Sequence, residues 1–322
     1  MADNNAKFSR AKNTQNDEFY TQLTDVSKGM KNYKKFFKNK IILCNCDNPR
    51  HSAFWKYFHL NFEALGLKKL VSAHYNQVET TYKMEYTGGN DNDMEDGVKT
   101  PFKGNGDFRN DESVELLKEA DIVVTNPPFS LLREYIAQLI KYDKKFLIIG
   151  TQNALTYKEI FPLIRDNKIW WSASGCIRWF IIPNYIDKKY KLNDNGERVA
   201  EGDRSRWWTN IGYKGRCEKL MLCKKYTPEK YPKYDNYDVI NVSHVDDIPC
   251  DYNGAMGVPI TFFDKYNPEQ FELLDARDYA LNDKQKNKNT FLIKDIDSAI
   301  NGKPVYARIV IRKRIMNNGN CD

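Results

Sequence analysis

The stretch DIVVTNPPFSLLREYIAQLI, Asp121 to Ile140, decides how the chain is read. After Asp121, Ile122 to Thr125 form a short, mostly apolar run, as expected of a strand covered on both faces. From Ser130 to Tyr142 apolar residues recur at helical spacing, which predicts an amphipathic helix. Between the two stand Asn126, Pro127, Pro128 and Phe129. Two consecutive prolines remove two backbone donors and fix φ twice, a stiffness that a simple turn does not require. One reading is a stiff junction with Ser130 as N-cap of the helix. The other is a site that needs a rigid row of hydrogen-bond acceptors. An Asp/Asn-Pro-Pro-aromatic run arises by chance in about one chain in a hundred of this length, and its place at a strand end favours the second reading.

The same rhythm extends to both sides. IILCNC (Ile41–Cys46) reads as a buried parallel strand bounded by the turn-forming DNPR. SAFWKYFHLNFEALG follows with Phe54, Tyr57, Phe58, Phe62 and Leu65 at helical spacing and ends at Gly66. KKLVSAHY predicts a strand, residues 86–106 a loop region, SVELLKEA a helix, and KKFLIIGT a further strand. This is a β-α-β-α succession with near-continuous apolar strands, the pattern of a doubly wound, mostly parallel α/β sheet. Such sheets bind ligands at the carboxyl ends of their strands, where DNPR, GDFR and TNPPF would converge.

Beyond Trp170 the rhythm changes. IWWSASGCIRWFIIP and CEKLMLCKKY look strand-like, and the charges of residues 184–206 nearly balance, so that segment is expected to be a solvated loop. Residues 1–226 are expected to form the main domain, with 1–16 as a polar arm, and 227–322 a smaller appended region with β character near GVPITFF, NTFLIKDI and PVYARIVIRKRI. The paired tryptophans Trp170-Trp171 and Trp207-Trp208 are assigned to the core.

Composition sets bounds. The 322 residues, 41% hydrophobic and 13% aromatic, suffice for a large buried core. No apolar run approaches the about 20 residues of a membrane helix, and the polar N-terminus has no signal-peptide core, so a cytoplasmic protein is expected. Seven scattered cysteines include no CxxC pair; Cys44-x-Cys46 with His51 lacks a second pair, so free thiols and no metal are expected. The net charge of +7 is compatible with a polyanionic partner without requiring one.

An asparagine followed by two prolines fits one chemistry closely. The nitrogen of an exocyclic amine on a planar base shares its lone pair with the ring and attacks a methyl donor poorly. The Asn126 side-chain oxygen and the Pro127 carbonyl can accept both amino hydrogens, which favours a pyramidal nitrogen with its lone pair aimed at the donor. The prolines fix the carbonyl direction. Phe129 can stack on a base swung out of the duplex, and catalysis is then mostly positioning.

The chain resembles the EcoRI-type adenine-specific DNA methyltransferase family. The resemblance is carried by DEFYTQ (Asp17–Gln22), CNCDNPRHSAFWKYF (Cys44–Phe58), NFEALGLKKL (Asn61–Leu70), TPFKGNGDFRNDE (Thr100–Glu112) and TNPPFS, and more loosely by GAMGVPITFFDKYNPEQFELL (Gly254–Leu274). It implies a class I S-adenosylmethionine-dependent methyltransferase fold with a C-terminal target-recognition region. It implies Phe19, Tyr20 and Thr21 near the methionine end of the cofactor. Asp107 would accept from the cofactor's adenine amino group and Phe108 would pack on its ring. The loop after the first strand has no glycine, so Cys46, Asp47, Asn48 and Pro49 would line the same place with different contacts. The ribose contact has no assigned residue.

The resemblance further implies N6-methylation of adenine in a short specific sequence of double-stranded DNA. A cognate restriction endonuclease acting on the same site needs no physical contact with the chain, and a monomer is expected. In YARIVIRKRI, alternation puts Arg308, Arg312 and Arg314 on one face and Ile309, Ile311 and Ile315 on the other. Those arginines either meet DNA or protect an edge strand by charge. Lys284, Lys286 and Lys288 fall in a polar loop. The motif alone also serves cytosine N4, RNA and protein glutamine as acceptors, and a catalytically silent DNA-binding protein is the rival from another class.

Overall fold

The computed structural model describes residues 19–76, 81–213, 216–288, 290–294 and 298–314. The expected N-terminal arm, Asp17, Glu18 and Ile315 lie outside them. The chain divides into two compact units, Met1–Gln152 with Ser174–Tyr213, and Asn153–Ala173 with Lys214–Asp322. The second unit thus joins a mid-chain segment to the C-terminal part of the chain.

The first unit is built on four parallel strands, β1 (Ile41–Cys44), β2 (Lys69–Ala73), β5 (Ile122–Thr125) and β6 (Lys145–Thr151), in the order β2-β1-β5-β6. Every residue of β1 and β5 is buried, which is why both read as unbroken apolar runs. β3 (Tyr82–Tyr86) and β4 (Val98–Pro101) extend the β2 edge antiparallel, the former by pairing Ser72 with Met84. The expected loop at 86–106 therefore contains a strand, β4, hidden from pattern reading because all four of its residues are exposed.

On the other side β9 (Arg198–Thr209) runs antiparallel to β6, pairing Ile149 with Trp207, and the outer position belongs to β7 (Trp170–Ile181). A two-residue strand, β8 (Lys191–Leu192), pairs with the start of β9. The solvated loop expected at 184–206 is thus a β8–β9 arm. Its Glu201, Asp203 and Arg204 are exposed and charged, so composition alone gave a loop. Trp207 and Trp208 are core residues, and Gly29 of α1 (Leu23–Met30) lies flat on Trp207, where a Cβ would sit 2.4 Å from the ring.

The first strand feeds α2 (Ala53–Leu60), capped by Ser52, whose Oγ accepts from the N–H groups of Phe54 and Trp55 at 3.1 and 3.2 Å. The single helix expected there breaks at Asn61, whose amide donates to the Tyr57 carbonyl at 2.8 Å and competes for the helical bond. The chain resumes as α3 (Phe62–Leu65) and ends at Gly66 in the left-handed region, φ 61°. The amphipathic α4 (Asp111–Glu119) and α5 (Leu132–Lys141) cover the sheet; α5 buries Leu132, Tyr135, Ile136 and Leu139. A 3₁₀ turn at Phe129–Leu131 precedes α5, so Ser130 lies inside that turn and is not an N-cap.

The second unit carries α6 (Phe161–Arg165) and a five-stranded sheet of β10 (Lys233–Tyr234), β11 (Tyr237–Asn241), β12 (Met256–Pro259), β13 (Phe271–Leu274) and β16 (Arg308–Lys313), in the order β10-β11-β12-β16-β13. β14 (Ala299–Ile300) and β15 (Lys303–Pro304) form a small hairpin, and α7 (Asp283–Lys286) carries Lys284 and Lys286, both exposed. CEKLMLCKKY forms no strand; Lys224 makes one bridge, to Pro249, and Met221 is exposed. The described part of NTFLIKDI contributes a single bridge, Ile293 to Arg308.

β16 lies between β12 and β13, which removes the edge-strand reading. Arg308 is buried as well, contrary to its expected exposed face, because Asn241 and the Tyr306 carbonyl take its guanidinium inside the sheet layer. Arg312 and Arg314 are exposed, the former paired with Glu272 and the latter donating to the Pro268 carbonyl at 2.8 Å.

Candidate active site

The carboxyl ends of β1 and β5 form the site. Asp47, just past β1, is their common node. Its carboxylate accepts from the Ser52 hydroxyl at 2.9 Å and from the Thr125 hydroxyl, and the N–H of Asn126 turns toward it. Its own N–H donates to Ala73 at 3.1 Å, and its carbonyl accepts from Ser72 at 2.6 Å. One residue thereby ties the ends of β1, β2 and β5 to the N-cap of α2. Burial pushes the Asp47 carboxyl up to about 7, against the three hydrogen bonds that favour its ionised form. Burial, with Asp47 beside them, also raises the thiols of Cys44 and Cys46.

Asn126 follows β5 directly. Its Nδ2 donates to the Phe19 carbonyl at 3.0 Å, while its Oδ1 is enclosed without a donor. Pro127 is buried behind it, and Pro128 and Phe129 are half-buried. Phe129 meets Phe180 of β7 edge-on at 6.4 Å, and Phe180 stacks against Phe19 at 6.3 Å. Gly202 of β9 makes room for Phe180; a Cβ there would lie 2.7 Å from its ring. Tyr20 fixes the segment by pairing its N–H and carbonyl with Ile181, at 2.9 and 2.8 Å. Thr21 follows, buried, with its hydroxyl oxygen enclosed and without a partner.

The third part is GDFR. Gly106, φ 73°, passes so close to His74 that a Cβ would lie 2.1 Å from its carbonyl oxygen, a turn that only glycine fits. Asp107 then faces Arg109, which grips both carboxylate oxygens at 2.9 and 2.7 Å and reaches on to Glu134 at 3.0 Å. The guanidinium holds the Asp107 carboxyl below its usual range. Phe108 is buried edge-on to Tyr135 of α5 at 5.0 Å, and the Tyr135 hydroxyl donates to Asn45 at the end of β1. The Asn45 amide nitrogen and the Gln138 amide oxygen are enclosed without partners.

Phe19, Asp47, Phe108 and Asn126–Phe129 are therefore linked to one rim through direct contacts or one intervening side chain, and Cys46 lies within it between Asn45 and Asp47. Asn48 spends its side chain and carbonyl on the turn into α2, accepting from Arg50, His51 and Ser52. Tyr20, Thr21 and Pro49 also face a cleft of about 1270 Å³ that continues to Lys56, Lys99 and Arg198 and does not include Asn126–Phe129, Asp107 or Phe108. Pattern reading missed Asn45, Thr125, Tyr135, Gln138 and Phe180. Tyr135 and Gln138 carried a faint signal, three residues apart on one helix. Among the described residues no group of three or more His, Cys, Asp or Glu is placed to hold a metal ion, and no helix is long and apolar enough to cross a membrane.

A doubly wound parallel sheet with Asn-Pro-Pro-Phe at the end of a central strand defines a class I methyltransferase acting on an amino group. The chain belongs to the EcoRI family of adenine-specific methyltransferases, whose model matches residues 7–314, and is accordingly a DNA methyltransferase that draws on a methyl donor. It is 44% identical to the Type II methyltransferase M.EcoRI of Escherichia coli, over 95% of each chain. It is 38% identical to M.MgeORF184P of Mycoplasma genitalium and 36% identical to M.MpnI of Mycoplasma pneumoniae, both named Type II methyltransferases, over 95% of this chain and 98% of each relative. No solved structure matches.

Proposed function

We propose that this chain transfers a methyl group from S-adenosylmethionine to N6 of an adenine swung out of duplex DNA at a short specific sequence. The observation that carries the reading is the Asn126 side chain. Its nitrogen is committed to Phe19 while its enclosed oxygen has no donor, an arrangement costing about 1–3 kcal/mol until a donor arrives. An amino group supplies that donor. The Pro127 carbonyl takes the second amino hydrogen, and Phe129, braced by Phe180, stacks on the ring.

The residues on the rim fit the cofactor. Asp107 retains acceptor capacity beside its three bonds to Arg109, two from the guanidinium and one from the backbone N–H, since a carboxylate offers about four lone-pair sites. Phe108 supplies an aromatic wall, Cys46 to Pro49 form the loop over the β1 end, and Phe19 to Thr21 close the methionine side with the unpartnered Thr21 hydroxyl. When bound, S-adenosylmethionine supplies a methyl group made electrophilic by its sulfonium. The chain's part is to orient the amine, strip its hydrogens' competing partners and exclude water. The alkylated amine is acidic enough to lose its proton without a strong base.

Residues 227–322 are the target-recognition region in this reading, with Arg312 and Arg314 among its exposed cations. The enzyme works as a monomer, and a restriction endonuclease acting on the same site is its counterpart. The test is nucleoside mass spectrometry on duplex DNA incubated with S-adenosylmethionine and the purified chain, with Asn126→Ala in parallel. N6-methyladenine from the native chain alone supports the reading. Methylcytosine, a methylated RNA or protein acceptor, or no product from a folded chain that binds no S-adenosylmethionine overturns it.

A further inference from the structure

We propose that the arm between Asn184 and Arg198 is a phosphate clamp, with Lys188, Lys189 and Lys191 holding the DNA strand that carries the target adenine. The proposal rests on the DNA-methylating reading above. The arm leaves β7 at Ile181, the residue paired with Tyr20, and returns through β8 into β9. It is a built element. Asn193 closes its tip by accepting the N–H groups of Asn195 and Glu197 at 3.1 and 2.9 Å. Arg198 ties its base, donating to the carbonyls of Asn184 and Ile186 at 2.7 and 3.1 Å with its guanidinium 4.0 Å from the Tyr190 ring.

The three lysines are exposed, and among the described residues none is paired with a carboxylate. Two of them sit on ring faces instead, Lys188 at 4.7 Å from Phe19 and Lys191 at 3.7 Å from Trp179. A ring face orients an ammonium without neutralising it, so the charge stays available to an anion. The arm's acids do not answer them. Glu197 accepts from Asn193 at the tip, while Asp187 and Asp194 are exposed. Tyr185, Tyr190 and Leu192 are also exposed, at 66, 51 and 62%. Cations interleaved with exposed aromatic and apolar side chains suit nucleic acid better than water.

Position decides the partner. The ring that carries Lys188 belongs to Phe19, whose carbonyl holds Asn126 at 3.0 Å. A base drawn to Asn126 brings its own flanking phosphates to this edge, and an ammonium beside Phe19 meets them there. Contacts of this kind are independent of sequence and govern the salt dependence of binding.

The test keeps Lys188, which touches Phe19, and replaces the other two. The Lys189→Ala, Lys191→Ala double variant and wild type are titrated against a fluorescent duplex oligonucleotide over a range of salt. Loss of two phosphate contacts lowers the slope of log affinity against log salt by about 2. S-adenosylmethionine binding by calorimetry and kcat at saturating plasmid stay at wild-type values, and Lys189→Arg with Lys191→Arg restores the slope. An unchanged slope in the folded double variant overturns the proposal, as does equal loss in the arginine pair. A wild-type chain that methylates no DNA counts against the functional reading instead, which separates the two failures.

Discussion

Asn126 donates its side-chain amide to the carbonyl of Phe19 at 3.0 Å, and that single bond fixes which way its oxygen points. A carbonyl only accepts, so the nitrogen must face Phe19 and the oxygen must face away, into an enclosed position with no donor among the described residues. The acceptor is preorganised before any substrate arrives, and the segment that orients it is pinned to β7 through Tyr20 and Ile181.

Asn126→Ala is therefore expected to lower kcat by about 10²- to 10³-fold, the effect of removing one preorganised partner of the reacting group. Asn126→Asp is expected to lose nearly as much, because a carboxylate cannot donate to Phe19 and would turn away from its carbonyl. Steady-state kinetics with duplex DNA checks both. Loss confined to KM would mean that Asn126 binds the base without acting on the reacting amine.

Much of this frame was legible in the sequence. β1, β2, β5 and β6 could be read because burial on both faces leaves an unbroken apolar signature, and Asn126–Phe129 because two prolines constrain the chain locally. β4 could not, since its exposed side chains carry no burial pattern, nor could β9, where exposed Glu201, Asp203 and Arg204 interrupt the buried residues on either side. CEKLMLCKKY misled in the opposite sense, its alternation having no neighbouring strand to serve. Phe180 reaches the rim only through distant strand pairing, for which no short stretch holds a signal.

Gly202 shows how such a distant residue shapes the site. A Cβ there would lie 2.7 Å from the ring of Phe180, which is 1% exposed and wedged between Phe19 and Phe129. Gly202→Ala must displace that ring, against which Phe129, the residue proposed to stack on the base, packs. Overpacking of this kind costs roughly 1–3 kcal/mol of stability. Misplacement at the reacting centre is expected to lower kcat by roughly 10- to 100-fold. A melting curve and a turnover assay on one preparation separate the two effects, and full activity with a lowered Tm would show that Phe180 is only packing.

Asp47 links the rim to pH. Its carboxyl stands at about 7 in the folded chain against an ordinary 3.8. Between those values the folded chain keeps a proton that the unfolded chain releases. The stabilisation is complete below about pH 4, falls as pH rises to about 7, and changes no further above that. Its full size is on the order of 4 kcal/mol. Asp47→Asn removes the titration and keeps the shape. Urea denaturation of both proteins at pH 5 and pH 8 is expected to show the native chain losing stability relative to the variant as pH rises. Parallel pH dependences would mean that Asp47 is ionised at the rim throughout.

Arg308, Arg312 and Arg314 separate structure from DNA contact within one strand. Arg308 is 7% exposed, with Nε 3.2 Å from Asn241 and Nη1 2.9 Å from the Tyr306 carbonyl. Truncating it removes a donor from the Tyr306 carbonyl and from the buried Asn241 oxygen, which keeps the Tyr234 hydroxyl at 2.7 Å. A lost charged hydrogen bond of this kind costs roughly 1.5–3 kcal/mol, so Arg308→Ala is expected to lower Tm by several degrees and leave the salt slope of DNA binding by folded protein unchanged. Arg312 and Arg314 are exposed, so the double alanine variant is expected to melt near the wild-type temperature. If the second unit reads DNA through them, its salt slope falls by about 2. The reverse outcome, a lowered slope with an unchanged Tm for Arg308→Ala, would place that guanidinium on a phosphate and require the sheet to open around it.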